Sequence, residues 1–197
     1  MEEITKHIAS WPTLANGLHY QWLVDYPAYS AFGTYELSNE EWEHRDFIQN
    51  FKGNSELTTE MDHQQAMQKA IALVSDFIHQ TFGAEASQLM LLCVPASKKA
   101  ATKRRFEHFS EQVSQATGMQ NAYPLISYTT QVDEDGDEID TPHLDEQQLQ
   151  GKKILVFDDI IASGGSIIRF AEQLSLIPAD VVAALALGKK ISDGYDK

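Results

Sequence analysis

The stretch ILVFDDIIASGGSI, residues 154–167, constrains the fold more than any other part of the chain. Four apolar residues run directly into two adjacent carboxylates, Asp158 and Asp159, and a loop of small residues with two glycines follows. A segment that is apolar on both faces is typical of a parallel strand covered by helices on both sides of its sheet. Ligands bind such sheets at the carboxyl ends of the strands, so the stretch indicates a site as well as a fold.

Strand and helix patterns alternate along the chain from about residue 88 onward. The predicted strands are 89–94, AYPLISYTT, ILVFDD and ADVVAALALG, and the predicted helices between them lie in PASKKAATKRRFEHFSEQVSQATG and GGSIIRFAEQLSLI. A further helix, with apolar residues at helical spacing, precedes them and ends at Gly83. This alternation predicts parallel strands joined by right-handed crossovers, and therefore an α/β fold with a doubly wound, mainly parallel sheet.

The first 57 residues differ from the rest because aromatic residues are dense and hydrophobic periodicity is weak. These aromatics are Trp11, Tyr20, Trp22, Tyr26, Tyr29, Phe32, Tyr35, Trp42, Phe47 and Phe51. The region predicts a turn at Asn16-Gly17, a strand after it, and a helix capped by Ser38. We divide the chain into an aromatic N-terminal elaboration, 1–57, and an α/β domain, 58–197. An aromatic cluster packed on the main domain is favoured over a hood above a planar ligand.

Composition and charge exclude several classes of protein. The 197 residues carry a formal net charge of −14, so neither nucleic acid nor an anionic membrane is an expected partner. No apolar segment approaches the roughly 20 residues needed to span a bilayer, and the start, with Glu2 and Glu3, lacks the pattern of a secretory signal. The single cysteine, Cys93, lies in an apolar run and is interpreted as a buried strand residue rather than a catalytic thiol. We expect a cytoplasmic protein.

The loop after the two carboxylates has the composition of an anion-binding loop. Its candidate phosphate-binding residues are Ala162, Ser163, Gly164, Gly165 and Ser166. Small residues let backbone N–H groups point at an anion, and the N-terminus of the following helix adds a favourable dipole. Carboxylates accept hydrogen bonds from hydroxyl groups. Asp158 and Asp159 beside such a loop therefore suit a ribose 5-phosphate, with the hydroxyls on the carboxylates and the phosphate on the loop.

The same stretch resembles the phosphoribosyl-pyrophosphate (PRPP) motif of the type I phosphoribosyltransferases, in which an apolar strand, two acids and a small Thr/Ser/Gly loop follow one another. The first threonine of that loop is Ala162 here. The segments VPASKKAATKRRFEHF and FIQNFKGN are similar to the competence-associated, ComF-like subfamily, but the cysteine-rich zinc module of that subfamily is not found in this sequence. The likeness covers about residues 46–190 and implies a type I phosphoribosyltransferase fold.

A basic cluster follows the first predicted strand of the α/β domain. Lys98, Lys99, Lys103, Arg104 and Arg105 lie within eight residues and make up a third of all Lys and Arg in this acidic chain. Cations are least favoured at the start of a helix, so we favour a bound polyanion over a solvated helix start as the explanation. The family resemblance implies that this polyanion is pyrophosphate, held by Ala96, Ser97, Lys98, Lys99 and Arg104.

The resemblance implies a reaction in which a nitrogen nucleophile displaces pyrophosphate from C1 of PRPP, with Asp158 and Asp159 as the catalytic residues. Mg²⁺ would be the cofactor, held by substrate and water near the two carboxylates rather than directly by the protein. The partners would be PRPP and an unidentified nitrogenous base or amine, and homodimer formation stays open. The alternative is a non-catalytic PRPP- or nucleotide-binding regulatory module, linked to DNA uptake or repair.

The acidic segment TQVDEDGDEIDTPHLDE separates the second and third predicted strands. It holds eight carboxylates and no Lys or Arg, whereas many members of the family close a basic loop over the pyrophosphate at this place. Asp135-Gly136, flanked by Val132 and Ile139, predicts a solvated hairpin. A calcium-binding loop is disfavoured because Gly136 precedes the third acid and the twelfth position is Leu144. The segment favours the non-catalytic alternative, whereas the basic cluster favours the enzyme.

Overall fold

The computed structural model describes residues 2–27, 37–53 and 58–191. Within them, a five-stranded sheet has the order β1-β7-β6-β2-β3, and every pair of neighbouring strands is parallel. Its strands are β1 Tyr20–Pro27, β2 Leu89–Cys93, β3 Gln120–Asn121, β6 Lys153–Ile161 and β7 Asp180–Ile191. The predicted α/β fold with a mainly parallel sheet is therefore confirmed.

The helices begin and end at residues that the sequence marks clearly. Ser38 forms a capping box with Glu41 at the start of α2, and Thr59 caps α3 by accepting a hydrogen bond from the backbone of Asp62. The helices are α1 Glu2–Ile8, α2 Asn39–Lys52, α3 Glu60–Phe82, α4 Lys99–Thr102, α5 His108–Thr117, α6 Glu146–Leu149 and α7 Gly165–Leu174. A π-helical turn, Lys103–Glu107, joins α4 to α5. None of the helices in the described ranges combines the length and apolarity needed to cross a bilayer.

The two faces of the sheet bury separate hydrophobic cores, as a doubly wound sheet requires. On one face α2, α3 and α5 pack Phe51, Phe109 and their neighbours against Phe157 of β6, with the rings of Phe109 and Phe157 stacked 4.5 Å apart. On the other face α7 packs Ile167 and Leu174 against the sheet. Cys93 is buried in the first core, and this desolvation raises the pKa of its thiol well above the ordinary value. It is therefore a structural residue of β2, as predicted.

The second predicted strand, AYPLISYTT, does not join the parallel sheet. Ile126–Val132 (β4) instead pairs antiparallel with Glu138–Leu144 (β5) in a separate hairpin, and the second parallel strand is the short β3, which pairs with Met90 and Leu91. The physical reason is local, because the turn at Asp135-Gly136 closes an antiparallel pair at little entropic cost. Most of β4 is also exposed, so it lacks the second buried face of a central strand. The predicted hairpin itself is confirmed.

The described part of the N-terminal region contributes the edge strand β1, which pairs with β7. Five of its aromatic side chains are buried in the cores, namely Trp11, Tyr20, Tyr26, Phe47 and Phe51, whereas Trp42 is 44% exposed. Residues 28–36 and 54–57 lie outside the described residues. They include Tyr29, Phe32, Tyr35 and the domain boundary after residue 57, so the division into two domains stays a prediction.

Candidate functional site

Asp158 and Asp159 lie inside β6 rather than at its end. The strand continues to Ile161, because Ile160 pairs with Gly188 and Ile161 with Lys189 of the longer strand β7. The expectation that the strand ends at the two carboxylates is therefore wrong by two residues. The loop of small residues begins directly after Ile161, so both acids still lie near the carboxyl edge of the sheet.

The two carboxylates face opposite sides of the sheet, because successive residues of a strand alternate. Asp158 lies on the α7 side with Val156, and it lines a pocket with the small-residue loop. Asp159 lies on the other side with Phe157, where residues of α2 and of the π-helical turn contact it. The sequence presents the acids as an equivalent pair, whereas the structure gives them different surroundings.

Asp159 is buried and held by two cations. Arg105 Nη1 lies 3.0 Å from Asp159 Oδ2, and Lys52 Nζ lies 3.7 Å from Oδ1. Arg105 Nε also donates to the backbone carbonyl of Lys52, which ties the π-helical turn to the end of α2. Sequence reasoning missed both partners. It marked the basic cluster, but it could not tell which of the adjacent residues Arg104 and Arg105 faces the sheet.

Asp158 is buried, and no cation among the described residues contacts its carboxylate directly. Its Oδ1 accepts a hydrogen bond of 2.8 Å from the backbone N–H of Asp159. Desolvation, with the nearby charge of Asp159, raises the pKa of Asp158 from 3.8 to about 7, although Lys52 and Arg105 act in the opposite direction. The side chain therefore changes charge near neutral pH.

The small-residue loop and Asp158 form one pocket. It is lined by Asp158, Arg169, Ile160, Ile161 and Ile167 together with all five predicted phosphate-binding residues, Ala162, Ser163, Gly164, Gly165 and Ser166. The loop leads into α7, whose first N–H groups have no partner within the helix. Arg169 is exposed and makes no hydrogen bond or ion pair with any described residue. Helical side chains lean towards the N-terminus, and Arg169 Nη1 lies 3.4 Å from where a Cβ of Gly165 would be.

Gly164 fixes the shape of this loop, and we expect Gly164→Ala to lower the free energy of unfolding by about 1–3 kcal/mol. Its φ is +79°, which alanine rarely adopts, and an added Cβ would lie 2.7 Å from Leu14 Cδ2. Gly151→Ala is the control, because Gly151 has φ +72° but no atom within 4 Å of an added Cβ. Urea unfolding of both variants separates backbone strain from the clash. Equal losses would contradict the packing of Leu14 against the loop.

The predicted pyrophosphate-binding residues are not gathered in one place. Ala96, Lys98 and Lys99 contact the hairpin: the backbone N–H of Lys99 donates to Asp140 Oδ2 at 2.7 Å, and Lys98 Nζ donates to the carbonyl of Glu138. Ser97 lines a groove that also contains Ser166 and Arg169, next to the small-residue loop. Arg104 points elsewhere. Its Nε donates to the carbonyl of Gly53, and its Nη2 lies 2.8 Å from Glu60 Oε2.

The carboxylate of Asp140 accepts a hydrogen bond from the start of α4, where the sequence places the cations Lys98 and Lys99. An anionic side chain is favourable where backbone N–H groups are free, so the lysines at 98 and 99 do not by themselves require a bound polyanion. In the described part of the chain no group of three or more His, Cys, Asp or Glu side chains is arranged to hold a metal ion.

The sequence matches no protein-family model and no curated protein. Among solved structures it is similar to a hypothetical protein from Neisseria gonorrhoeae with bound ppGpp, at 14% identity over 68% of this chain and 72% of that one, with a TM-score of 0.39. It is also similar to a purine phosphoribosyltransferase from Pyrococcus horikoshii, at 11% identity over 62% and 71% and a TM-score of 0.37. A third is APRTase from Giardia lamblia, complexed with 9-deazaadenine, at 11% identity over 64% and 82% and a TM-score of 0.38. The assignment to the α/β class rests on the strand order described above.

Proposed function

We propose that the chain binds a ribose 5-phosphate ester in the pocket between β6 and α7 and acts as a phosphoribosyltransferase on PRPP. The observation that carries the proposal is that Asp158 and all five loop residues, 162–166, line this one pocket. The loop offers backbone N–H groups and the N-terminus of α7 to a phosphate. The side chain of Asp158 offers acceptors to ribose hydroxyls, and the exposed Arg169 adds positive charge at the rim.

In this reaction the bond between C1 of the ribose and pyrophosphate breaks, and a bond forms between C1 and the nucleophilic nitrogen. Pyrophosphate leaves with the electron pair, and the nitrogen loses a proton to water. Positive charge develops on the sugar ring, so ionised Asp158 would stabilise it electrostatically. Asp159 would act as a positioning residue, because it holds Arg105 and Lys52 beneath the site. Bound Mg²⁺ would neutralise charge on the leaving pyrophosphate.

Ala96, Ser97, Lys98 and Lys99 are proposed to hold the pyrophosphate once their contacts with the hairpin are exchanged for the ligand. Ser97 supports this role, since it shares a groove with Ser166 of the phosphate loop. Arg104 would have to leave Glu60 to contribute. Membership of the competence-associated subfamily is the part of the proposal that rests on the sequence alone.

A regulatory module that binds PRPP or a nucleotide without turnover is the second candidate. The contacts of Lys98 and Lys99 with the hairpin favour it, because both groups already have partners. Such a module would still use Asp158 and the phosphate loop. The two candidates therefore differ in the pyrophosphate half of the site and in turnover.

Calorimetry with PRPP and with ribose 5-phosphate, each with and without Mg²⁺, tests the proposal. We expect both ligands to bind, and Asp158→Asn to weaken both by about tenfold, since a neutral amide accepts hydroxyl protons less strongly. Asp180→Asn, at the opposite edge of the sheet, is the matched control. A preference for PRPP and release of pyrophosphate with candidate bases support the enzyme, whereas equal affinities support the module. Failure of ribose 5-phosphate to bind would contradict both.

A further inference from the structure

The hairpin β4–β5 sits against the basic stretch that the proposed function assigns to pyrophosphate. Asp140 Oδ2 accepts a hydrogen bond from the backbone N–H of Lys99 at 2.7 Å, and the carbonyl of Glu138 accepts one from Lys98 Nζ. Tyr128 Oη donates to the carbonyl of Ala96 at 3.1 Å. The hairpin thus occupies the N–H and ammonium donors that an anionic ligand would use there.

The carboxylate of Asp140 is held in place from both sides. Thr130, its cross-strand partner in the hairpin, donates through Oγ1 to Asp140 Oδ1 at 2.7 Å. The hydrogen bonds from Thr130 and from the backbone of Lys99, with the charges of Lys98 and Lys99, hold the pKa of Asp140 below its ordinary value. A full negative charge is therefore presented to the basic stretch at neutral pH.

The contacts of Lys98 and Lys99 with the hairpin are exposed to solvent and can be exchanged for a ligand, whereas the bond from Tyr128 to Ala96 is half-buried. The bonds from Lys98 and Lys99 both lie at the surface, where each ionic contact is weak. The outer part of the hairpin is also exposed, with Val132 at 67% and Ile139 at 51% exposure. The bonds that hold Asp140 and Glu138 at the basic stretch are thus surface contacts that a competing anion can replace.

Building on the proposed function, we propose that the hairpin is an internal competitor of the pyrophosphate group. The carboxylate of Asp140 accepts the hydrogen bond from the Lys99 N–H that a pyrophosphate oxygen would otherwise accept. A ligand that carries pyrophosphate must therefore displace it. Binding then releases the acidic hairpin from the site. A loop that closes over its ligand would do the reverse, because the ligand would hold it more firmly.

The first test compares Asp140→Ala with Asp137→Ala, titrated with inorganic pyrophosphate and with ribose 5-phosphate in the absence of divalent metal. Asp137 is the matched control because it lies on the same hairpin, carries the same charge, and makes no contact with Lys98 or Lys99 among the described residues. We expect D140A to bind pyrophosphate about two- to fivefold more tightly than the parent chain. Affinity for ribose 5-phosphate should not change in either variant.

Three results would overturn the inference. They are no increase in pyrophosphate affinity in D140A, an equal increase in D137A, or no binding of pyrophosphate to the parent chain and to D140A. An equal gain would mean that the hairpin acts only as a general negative field. Failure of ribose 5-phosphate to bind the parent chain, with the pyrophosphate gain intact, would remove the proposed function but leave the competition standing. The two failures are therefore distinguishable.

Hydrogen exchange of the backbone amides in residues 126–144 gives a second readout on the parent chain. We expect pyrophosphate to speed exchange across the hairpin, since its docking contacts are lost when the anion binds. Exchange in α3, which packs against α2 and α5, should stay the same. Slower exchange in the hairpin on adding pyrophosphate would show closure rather than release and would overturn the inference.

Discussion

Replacement of Arg105 by glutamine should lower the free energy of unfolding by about 2–4 kcal/mol, because it leaves the carboxylate of Asp159 buried with too little positive charge. Asp159 is 6% exposed, and its remaining partner, Lys52, is 3.7 Å away. Glutamine also gives up the donor that ties the π-helical turn to the end of α2. Urea unfolding at neutral pH measures the loss.

Lys103→Gln is the control from the same turn. The pair of Lys103 with Glu107 is exposed, so its loss should cost about 0.5 kcal/mol or less. The double variant R105Q/D159N removes both charges and should be more stable than R105Q alone, because no uncompensated carboxylate remains. Equal losses for R105Q and K103Q, or no recovery in the double variant, would show that Asp159 does not depend on Arg105.

The Arg105 contact also shows where sequence reasoning stops. Adjacent residues of an α-helix point about 100° apart, so only one of Arg104 and Arg105 can face the sheet. Which one does so depends on the π-helical turn at Lys103–Glu107, which shifts the register within the helix. No residue pattern marks that turn, because the apolar positions on either side of it fit an ordinary helix. The sequence therefore predicted the positive charge of the cluster, but not which arginine side chain faces the sheet.

The hairpin illustrates a different limit. Its turn was predicted because Asp135-Gly136 is a strong local signal, whereas its first arm was assigned to the parallel sheet. A short run such as AYPLISYTT contains both apolar and polar residues, and either pairing satisfies its backbone. The strand that pairs with β2 on the side away from β6 is β3, Gln120–Asn121, which is only two residues long and carries no apolar pattern. The strand order is set by packing across the sheet, which a local pattern does not contain.

The conformation of the small-residue loop, by contrast, was predictable because its requirements are local. Small residues, a positive φ at Gly164 and a helix start are all written in consecutive residues. The same stretch also contains the information that separates the two acids, since neighbours in a strand face opposite sides. What it lacks is the length of β7, which extends β6 past the acids to Ile161. The conformation of the loop is thus encoded by consecutive residues, whereas the end of β6 depends on its pairing with β7.

Replacement of Asp158 by asparagine should stabilise the chain at alkaline pH and leave its stability unchanged near pH 4. The pKa of Asp158 is raised from 3.8 to about 7 in the folded state, so between these values the folded state binds a proton that the unfolded state does not. Stability from this group is fully present below pH 4 and is lost as the pH rises through 7. We expect D158N to be more stable than the parent chain by about 2–4 kcal/mol at pH 8.5.

Urea unfolding of D158N and the parent chain at pH 4, 5.5, 7 and 8.5 checks this. Asparagine keeps the shape of the side chain and can still accept the hydrogen bond from the N–H of Asp159, so the comparison isolates the charge. The difference between the two chains should grow with pH and level off above about pH 8. A difference that stays constant with pH would mean that Asp158 is already ionised at low pH. The cost of ionising this buried carboxylate would then be absent, and Asp158 would carry the negative charge that the proposed function uses at the developing sugar cation throughout this pH range.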